Sequence, residues 1–218
     1  YIKTGGVYMI TIACVWTGDK YSFTYVERLK NMIDKYIKYD RFICLTDNTI
    51  QYDGIEMIKV KDLPGWWAKL ALFNPDIRGD GRCIFFDLDT VIIDDLTPIL
   101  QYEGPFAICR NFAKANRPEY ICNYGSCVMS FEHGFGRDIY DQFMAKKKKF
   151  IKKCRYGDQQ AIEQLYPNAD YIQDFCPPGF FVGYRAFTEQ KPNGSIMIFA
   201  GKHKPDNSEL DWVLQSWK

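Results

Sequence analysis

The sequence predicts an α/β fold in which helices cover a mixed, mainly parallel sheet, and three observations point to it. Apolar, strand-like segments alternate with a helical pattern over about the first 90 residues, which is the order of βαβ units. Residues 83–88 form an almost continuous apolar run, as strands do when both faces of a parallel sheet are covered. The 218 residues are 47% hydrophobic and 17% aromatic, which suits a domain with a full core and excludes a disordered chain.

The first half of the chain carries the clearest periodicity. An amphipathic helix is predicted over 22–37 from the helical spacing of Val26, Leu29, Met32, Ile33 and Tyr36. The Leu63-Pro64-Gly65 segment breaks the chain before a short helix at 66–73. Strands are predicted at 9–15, 41–46, 55–60 and 83–88.

The second half is less regular. Strand material surrounds residues 123–126, and a further strand is predicted at 195–199. Helices are predicted at 137–154, 158–165 and 209–217. Because neither an internal repeat nor a low-complexity linker interrupts the chain, we predict one domain over 9–218. We expect Met9 to be the native start and residues 1–8 to be a remnant of cloning.

Cysteine usage and charge narrow the setting of the protein. Eight cysteines occur without a CxxC pair, and several lie in predicted strands, which is typical of reduced, buried thiols. We therefore expect a reducing, cytoplasmic compartment. The sequence has neither the apolar run of a membrane span nor the pattern of a signal peptide. The formal net charge of +1 gives no general attraction to nucleic acid.

The sharpest motif is Asp87-Leu88-Asp89, at the end of the apolar run 83–88. Carboxylates at i and i+2 point to the same side of an extended chain, and ligands of open α/β sheets bind where strands end. Two such carboxylates suit Mg²⁺ or Mn²⁺ bridging a substrate diphosphate. The structural alternative is a strand that ends in two solvated acids.

A phosphatase is the alternative enzyme class. An apolar strand followed by Asp-x-Asp is also the nucleophile motif of haloacid-dehalogenase phosphatases, in which Asp87 would be phosphorylated and Asp89 would act as general acid. That motif normally follows the first strand of its domain, whereas here about three predicted strands precede it. Its later Gly-Asp motif has only Gly157-Asp158 as a candidate, and no strand is predicted before that pair.

Several segments, in order from about residue 10 to 205, resemble GT-A fold glycosyltransferases, most closely the glycogenin and lipopolysaccharide galactosyltransferase type of family 8. The matched motifs are a first-strand turn, an Ala-Lys-Leu helix, a DxD pair, an Asn-Ser-Gly segment, an Asp-Gln pair and a late Gly-x-x-Lys-Pro motif. They stand here as residues 15–21, Ala68-Lys69-Leu70, Asp87-Leu88-Asp89, residues 123–126, Gly157-Asp158-Gln159 and residues 201–205. The Trp66-Trp67-Ala68-Lys69-Leu70 segment is also similar to the amino-terminal transferase domains of multidomain glycosyltransferases from large algal viruses.

The resemblance implies a GT-A fold with a Rossmann-like nucleotide-binding half at about 9–95 and an acceptor half at about 96–218. It implies a UDP-sugar donor, Mn²⁺ or Mg²⁺ as cofactor, an oligosaccharide or glycoprotein acceptor, and retention of anomeric configuration. Asp158 and Gln159 are the implied catalytic residues, and Asp87, Asp89 and His203 the candidate metal ligands. The implied donor-binding residues are Val15, Trp16, Thr17, Tyr21, Lys69, Asp87, Leu88, Asn123, Gly125, Gly201 and Lys204.

The metal site departs from the family pattern. The family's metal-binding histidine precedes a phenylalanine, and that position here is Ile198. The third protein ligand is therefore missing, or His203 supplies it from elsewhere in the loop. A lone histidine in a lysine-rich loop more often faces solvent. Asp158 also has a structural alternative, as the N-cap of the helix that follows it.

Elementary electrostatics agrees with the implied roles. A diphosphate leaving group gains negative charge as the glycosidic bond breaks, and a divalent cation with Lys204, Lys69 and Lys202 would stabilise it. Gly201 would let the backbone approach the phosphates closely.

Three further features leave alternatives open. Six lysines and Arg155 between residues 146 and 155 predict a solvated helix face, or contact with an anionic membrane surface or an acidic acceptor. The Trp66-Trp67 pair predicts core packing or stacking on a sugar or a base. A non-enzymatic alternative is a nucleotide-sugar or glycan-binding domain of a longer protein, with further domains beyond Lys218.

Overall fold

A computed structural model describes residues 9–114, 119–184, 190–199, 201 and 203–218. The expectation for residues 1–8 therefore falls outside the described residues. The strands are β1 (Ile10–Trp16), β2 (Arg41–Thr46), β3 (Glu56–Lys59), β4 (Arg82–Phe86), β5 (Thr90–Ile92), β6 (Phe106–Arg110), β7 (Tyr124–Phe131), β8 (Asp170–Tyr171), β9 (Phe181–Gly183) and β10 (Ile196–Ile198).

The helices are mostly short. The described residues also form the 3₁₀ helices Gly65–Phe73 and Pro205–Asn207. The α-helices are α1 (Thr24–Tyr36), α2 (Pro75–Arg78), α3 (Thr97–Leu100), α4 (Arg137–Ala145), α5 (Lys147–Lys153), α6 (Asp158–Leu165), α7 (Ile172–Phe175) and α8 (Asp211–Ser216).

The central sheet has seven strands in the order β3-β2-β1-β4-β7-β6-β8. The first four are mutually parallel, β7 is antiparallel to both β4 and β6, and β8 is parallel to β6. The predicted mixed, mainly parallel sheet is confirmed. After β3 the chain crosses β1 to add β4 on its other side, so the carboxyl ends of β1 and β4 flank a topological switch point, where open α/β sheets bind ligands.

Two hydrophobic layers cover the sheet. One face packs against α1, α8 and a small sheet of order β5-β10-β9, and the other against the 3₁₀ helix Gly65–Phe73, α4 and α6. Alternation along β1 supplies both layers, because Ile12 and Cys14 face the first while Ala13 faces the second. The carboxyl edge between the two layers is left to polar side chains.

Most of the predicted elements are confirmed, with four differences. The predicted helix 137–154 is two helices, because Lys146 leaves the helical region (φ −122°, ψ 19°) within a run of like charges, which repel along a helix. Strand β4 ends at Phe86 because the next three residues turn. The segment after Pro64 is a 3₁₀ helix, and β5, β6, β8, β9, α2, α3 and α7 were not predicted.

The cysteines are as predicted. All eight are free, and all except the half-buried Cys127 are buried. Of the helices within the described ranges, none has the length and apolarity that crossing a membrane requires.

Candidate functional site

The turn after β4 brings two carboxylates to the carboxyl edge of the sheet. The Asp87 amide donates to the Cys127 carbonyl of β7 (2.8 Å), and the Thr90 amide donates to the Asp87 carbonyl (3.1 Å). Leu88, between the two acids, is 3% exposed, so its burial anchors the turn. Asp87 and Asp89 therefore lie at the same edge of the sheet because the chain turns after Phe86. The extended backbone that their spacing predicted is not observed.

Lys69 joins two of the predicted acids. Its Nζ lies 2.6 Å from Asp87 Oδ1 and 3.8 Å from Asp158 Oδ2, and it donates to the Ser126 carbonyl and hydroxyl, each at 3.2 Å. Burial lowers the pKa of Lys69, but the carboxylates of Asp158 and Asp87 outweigh it, so its pKa is raised. A permanent cation therefore sits between the end of β4 and the start of α6.

Asp158 is buried at the first turn of α6 and incompletely paired. It is 5% exposed, and its Oδ2 has no hydrogen-bond partner among the described residues. The N-cap position belongs to Gly157 (φ +75°), not to Asp158, so the structure does not support the capping alternative. The side chain of Gln159, next along the helix, is half-buried. A buried acceptor without a donor is costly unless a ligand supplies one.

Asp89 is held from two directions. Lys204 Nζ lies 2.5 Å from Asp89 Oδ2, and the Tyr21 hydroxyl donates to the same oxygen at 2.8 Å. Burial, followed by the charge of Asp89, raises the pKa of Tyr21, so the phenol stays a donor. The loop after β10 and the turn after β1 therefore meet at this carboxylate.

Asp87, Asp89 and Asp158 form the carboxylate cluster together with Lys69 and Lys204. Burial raises the pKa of Asp87, and the charges of Asp89 and Asp158 add to that rise while Lys69 opposes it, which leaves the pKa at about 7. Three carboxylates share the ammonium groups of Lys69 and Lys204, and the charge of Lys20 also acts on Asp87 and Asp89.

The available protein ligands suit a metal site whose coordination is completed by the substrate. They do not suit a site formed by protein ligands alone. Among the described residues, no three His, Cys, Asp or Glu side chains lie together to hold a metal. Ile198 is buried in β10, and the ring of His203 packs near Tyr184, with centroids 5.5 Å apart. Mg²⁺ commonly takes one or two carboxylates and completes its shell with substrate phosphates and water. Asp87 and Asp89 fit that pattern, and the metal role of His203 stays a prediction.

Solved structures share this architecture. A galactosyltransferase, LgtC, in complex with donor and acceptor sugar analogues aligns with a TM-score of 0.68 at 14% identity, covering 95% of this chain and 91% of LgtC. GlyE, a glycosyltransferase of Streptococcus pneumoniae TIGR4, aligns at 0.70 with 15% identity, covering 97% of this chain and 60% of GlyE. The chain has the GT-A fold. The bifunctional glycosyltransferase WbbM aligns at 0.59 with 12% identity, and this chain covers 52% of it.

Sequence comparison adds nothing to this. No family model and no curated protein matches the chain. The GT-A fold is therefore established by structure, and none of the comparisons supports the phosphatase alternative.

The first-strand turn of this GT-A fold lies beside the carboxylate cluster. Trp16 Nε1 donates to the Tyr21 carbonyl at 2.9 Å, which closes the turn and directs Tyr21 towards Asp89. The Thr17 hydroxyl donates to the Gly65 carbonyl at 3.0 Å, at the start of the 3₁₀ helix that carries Lys69. Val15, in β1, is half-buried. The predicted donor-binding residues of this turn therefore lie next to the carboxylate cluster.

Asn123 and Gly125 have structural partners of their own. The Asn123 amide groups donate to the Glu163 carboxylate of α6, and a Cβ on Gly125 would lie 3.0 Å from the Arg110 carbonyl oxygen. Asn123 also lines an open cavity of about 390 Å³ with Arg110, Asn111, Phe112, Lys114, Tyr171 and Gln173. Among the hydrogen bonds of the described residues, none joins Asn123 or Gly125 to the carboxylate cluster, and their donor-binding roles stay predictions.

The late loop contributes Gly201 and Lys204. Gly201 has φ +72°, a conformation that favours glycine, and Lys202 lies outside the described residues. Ser126, whose carbonyl and hydroxyl each accept a hydrogen bond from Lys69, belongs to the matched segment 123–126 but was not among the predicted donor-binding residues.

The lysine-rich segment lies apart from these contacts. Helix α5 has no buried residue, and Ile151 is 36% exposed. The predicted solvated face is consistent with this placement, and contact with a membrane surface stays a prediction.

Proposed function

We propose that the protein is a glycosyltransferase that moves a hexose or deoxyhexose from a UDP-sugar to a glycan acceptor, with retention of anomeric configuration. The observation that carries the proposal is the buried Oδ2 of Asp158, which lacks a hydrogen-bond donor and faces Lys69. A sugar hydroxyl at this position would satisfy it. The GT-A fold agrees with this activity and does not prove it.

The diphosphate would lie over the turn after β4. Asp87 and Asp89 would hold Mn²⁺ or Mg²⁺ together with phosphate oxygens, and the bound cation would supply Lewis-acid stabilisation of the leaving group. Lys204 already reaches Asp89 (2.5 Å), so a short movement would place its ammonium on a phosphate oxygen. Lys69 adds a second fixed cation, whose orientation is maintained by Ser126. Both charges would be in place before the reaction begins.

The transferred sugar would lie between the diphosphate and α6. Asp158 would accept a hydrogen bond from the sugar or stabilise an oxocarbenium-like state, and Gln159 would contact the same ring. The bond from the anomeric carbon to the diphosphate oxygen breaks, the acceptor hydroxyl oxygen forms the new bond, and the hydroxyl proton passes to the departing diphosphate. Retention of anomeric configuration is implied by the resemblance in sequence motifs. It does not follow from a distance measured in the cluster.

Two other functions compete with this proposal. In a phosphatase Asp87 would act as a nucleophile, but Asp87 is paired with Lys69 and follows the fourth strand of the domain. A nucleotide-sugar or glycan-binding domain would use the same cluster without turnover. These readings differ in what the protein does to a donor, so activity separates them.

Thermal-shift titration with UDP, with and without Mn²⁺, tests the binding step. We expect UDP to raise the melting temperature only when metal is present. Slow release of UDP from a UDP-sugar, lost in Asp158→Asn but with UDP binding retained, would exclude a pure binding domain. If no nucleoside diphosphate stabilises the protein, the proposal is wrong.

A further inference from the structure

The two adjacent tryptophans of the 3₁₀ helix Gly65–Phe73 have different environments. Trp67 is 6% exposed and stacks on Phe143, with centroids 5.9 Å apart. Trp66 is 56% exposed. An exposed indole contributes little to the core, and a single exposed apolar side chain is common on protein surfaces. What distinguishes Trp66 is its surroundings.

Trp66 lies at the rim of the carboxylate cluster. Side chains at i and i+3 of a 3₁₀ helix eclipse one another, which places Trp66 on the same face as Lys69, one turn before it. The pyrrole edge of the indole lies against the turn that precedes Asp158, because a Cβ on Gly157 would be 2.9 Å from Trp66 Nε1. The Thr17–Gly65 hydrogen bond fixes the helix start on the opposite side.

We infer that Trp66 is a stacking surface for a pyranose ring, and that one hydroxyl of this ring donates a hydrogen bond to Asp158. This inference rests on the proposed function and adds the residue that binds the apolar face of the sugar. Pyranoses have a C–H face that packs on aromatic rings and a hydroxyl edge that needs polar partners. Trp66 supplies the first surface and Asp158 Oδ2 the second, and Gly157, which lies against the indole, directly precedes Asp158. The ring is the transferred sugar of the donor or the sugar of the acceptor.

Fluorescence and calorimetry on Trp66→Ala and Trp66→Phe test the inference. Trp16, Trp67 and Trp217 are buried and Trp212 is half-buried, so Trp66 is the indole best placed to report a ligand. Tyr52→Ala removes another exposed aromatic ring, which packs on Phe23, and is the control. The probes are UDP, UDP-glucose and UDP-galactose with Mn²⁺, and methyl glucosides and galactosides added to the protein with UDP and Mn²⁺.

Each source of the ring has its own signature. If the ring is the donor's, Trp66→Ala weakens binding of a UDP-sugar by about tenfold and leaves UDP unchanged. If it is the acceptor's, both nucleotides bind as before, and the fluorescence response to a methyl glycoside disappears. Trp66→Phe retains part of either effect, because its smaller ring still stacks.

Three outcomes overturn the inference. Equal weakening of UDP and UDP-sugar would mean that Trp66 stacks on the base. Affinities and fluorescence responses that match the Tyr52→Ala control in every arm would mean that Trp66 contacts no sugar. If the wild-type protein does not bind UDP, both the proposed function and this inference are wrong. The first two outcomes leave the proposed function intact.

Discussion

Lys204 Nζ lies 2.5 Å from Asp89 Oδ2 and joins the loop after β10 to the turn after β4 across 115 positions of the chain. Both side chains are largely buried, at 14% and 13% exposed, so the pair is not an ordinary surface ion pair. If a nucleoside diphosphate and its metal bound here, Lys204 would pair with phosphate oxygens and Asp89 with the metal cation. These contacts would replace the ion pair between the two side chains. The carboxylates of the proposed donor site are therefore paired with the protein's own lysines.

Replacing Lys204 by alanine is expected to weaken UDP binding in the presence of Mn²⁺ by roughly tenfold to a hundredfold. The reason is that a hydrogen bond to a charged group contributes about 1.5–3 kcal/mol. Isothermal titration calorimetry measures the change. Lys30→Ala, which removes a lysine paired with Asp34 on α1, is the matched control and should bind as the wild type does. Similar affinities for the two variants would show that Lys204 does not reach the diphosphate.

Asp89→Asn is expected to abolish the contribution of the metal to UDP binding. The amide keeps a hydrogen-bond acceptor for Tyr21 but provides a neutral, weaker ligand for a hard cation. Thermal shift with UDP should then be the same with and without Mn²⁺. Glu56→Gln, at an exposed carboxylate paired with Arg41, should leave the metal response unchanged. A full metal response in Asp89→Asn would place the cation elsewhere.

The affinity for a UDP-sugar in the presence of metal should rise with pH. Burial raises the pKa of Asp87 to about 7, and only the deprotonated carboxylate binds a cation. Between about pH 6 and about pH 8 the deprotonated fraction increases roughly tenfold, and affinity should follow it. Calorimetry with UDP-glucose and Mg²⁺ is suitable, because the phosphates of this donor are diesters and do not titrate in that range. A flat profile would show that Asp87 is already ionised at the lower pH or is not a ligand.

Gly157→Ala is expected to destabilise the protein more than Gly134→Ala. Both glycines have φ +75°, so both substitutions strain the backbone, and the strain is greater at Gly157, whose ψ of −149° lies close to a region that is essentially restricted to glycine. Only at Gly157 would the new Cβ meet an indole, 2.9 Å from Trp66 Nε1, whereas nothing lies within 4 Å at Gly134. Urea denaturation should show about 1 kcal/mol of additional loss at Gly157.

A double variant separates the two contributions. Adding Trp66→Ala to Gly157→Ala should recover the part of the loss that the indole causes and leave the part that the backbone strain causes. If the two single glycine variants are equally stable, the indole does not pack against this turn.

Much of the fold follows from the sequence, and the reason differs by element. Strand β2 and helix α6 begin and end where predicted, because an apolar run and a clear helical pattern mark them. Strands β5, β8 and β9 have only two or three residues, too few for any periodicity to show. The break at Lys146 depends on a local backbone conformation that the apolar stripe of residues 139–151 does not reveal.

The site was predictable as a set of residues but not as a set of contacts. Motif resemblance singled out Lys69, Asp87, Asp89, Asp158 and Lys204, all of which the structure brings into one cluster of ion pairs. Which lysine meets which carboxylate depends on tertiary packing. The different environments of Trp66 and Trp67 likewise follow from the 3₁₀ geometry of their helix, which turns successive side chains by about 120°.

Release of UDP from a panel of UDP-sugars in the presence of Mn²⁺, measured for the wild type and for Asp158→Asn, tests the central claim most directly. We expect the wild type to release UDP from at least one donor, and faster with its acceptor. Asp158→Asn should bind UDP with unchanged affinity. It should cleave the UDP-sugar to free UDP at least a hundredfold more slowly. Equal rates for the two proteins, or no release from any donor by a wild type that binds UDP, would contradict the assignment of this cluster as a glycosyl-transfer site.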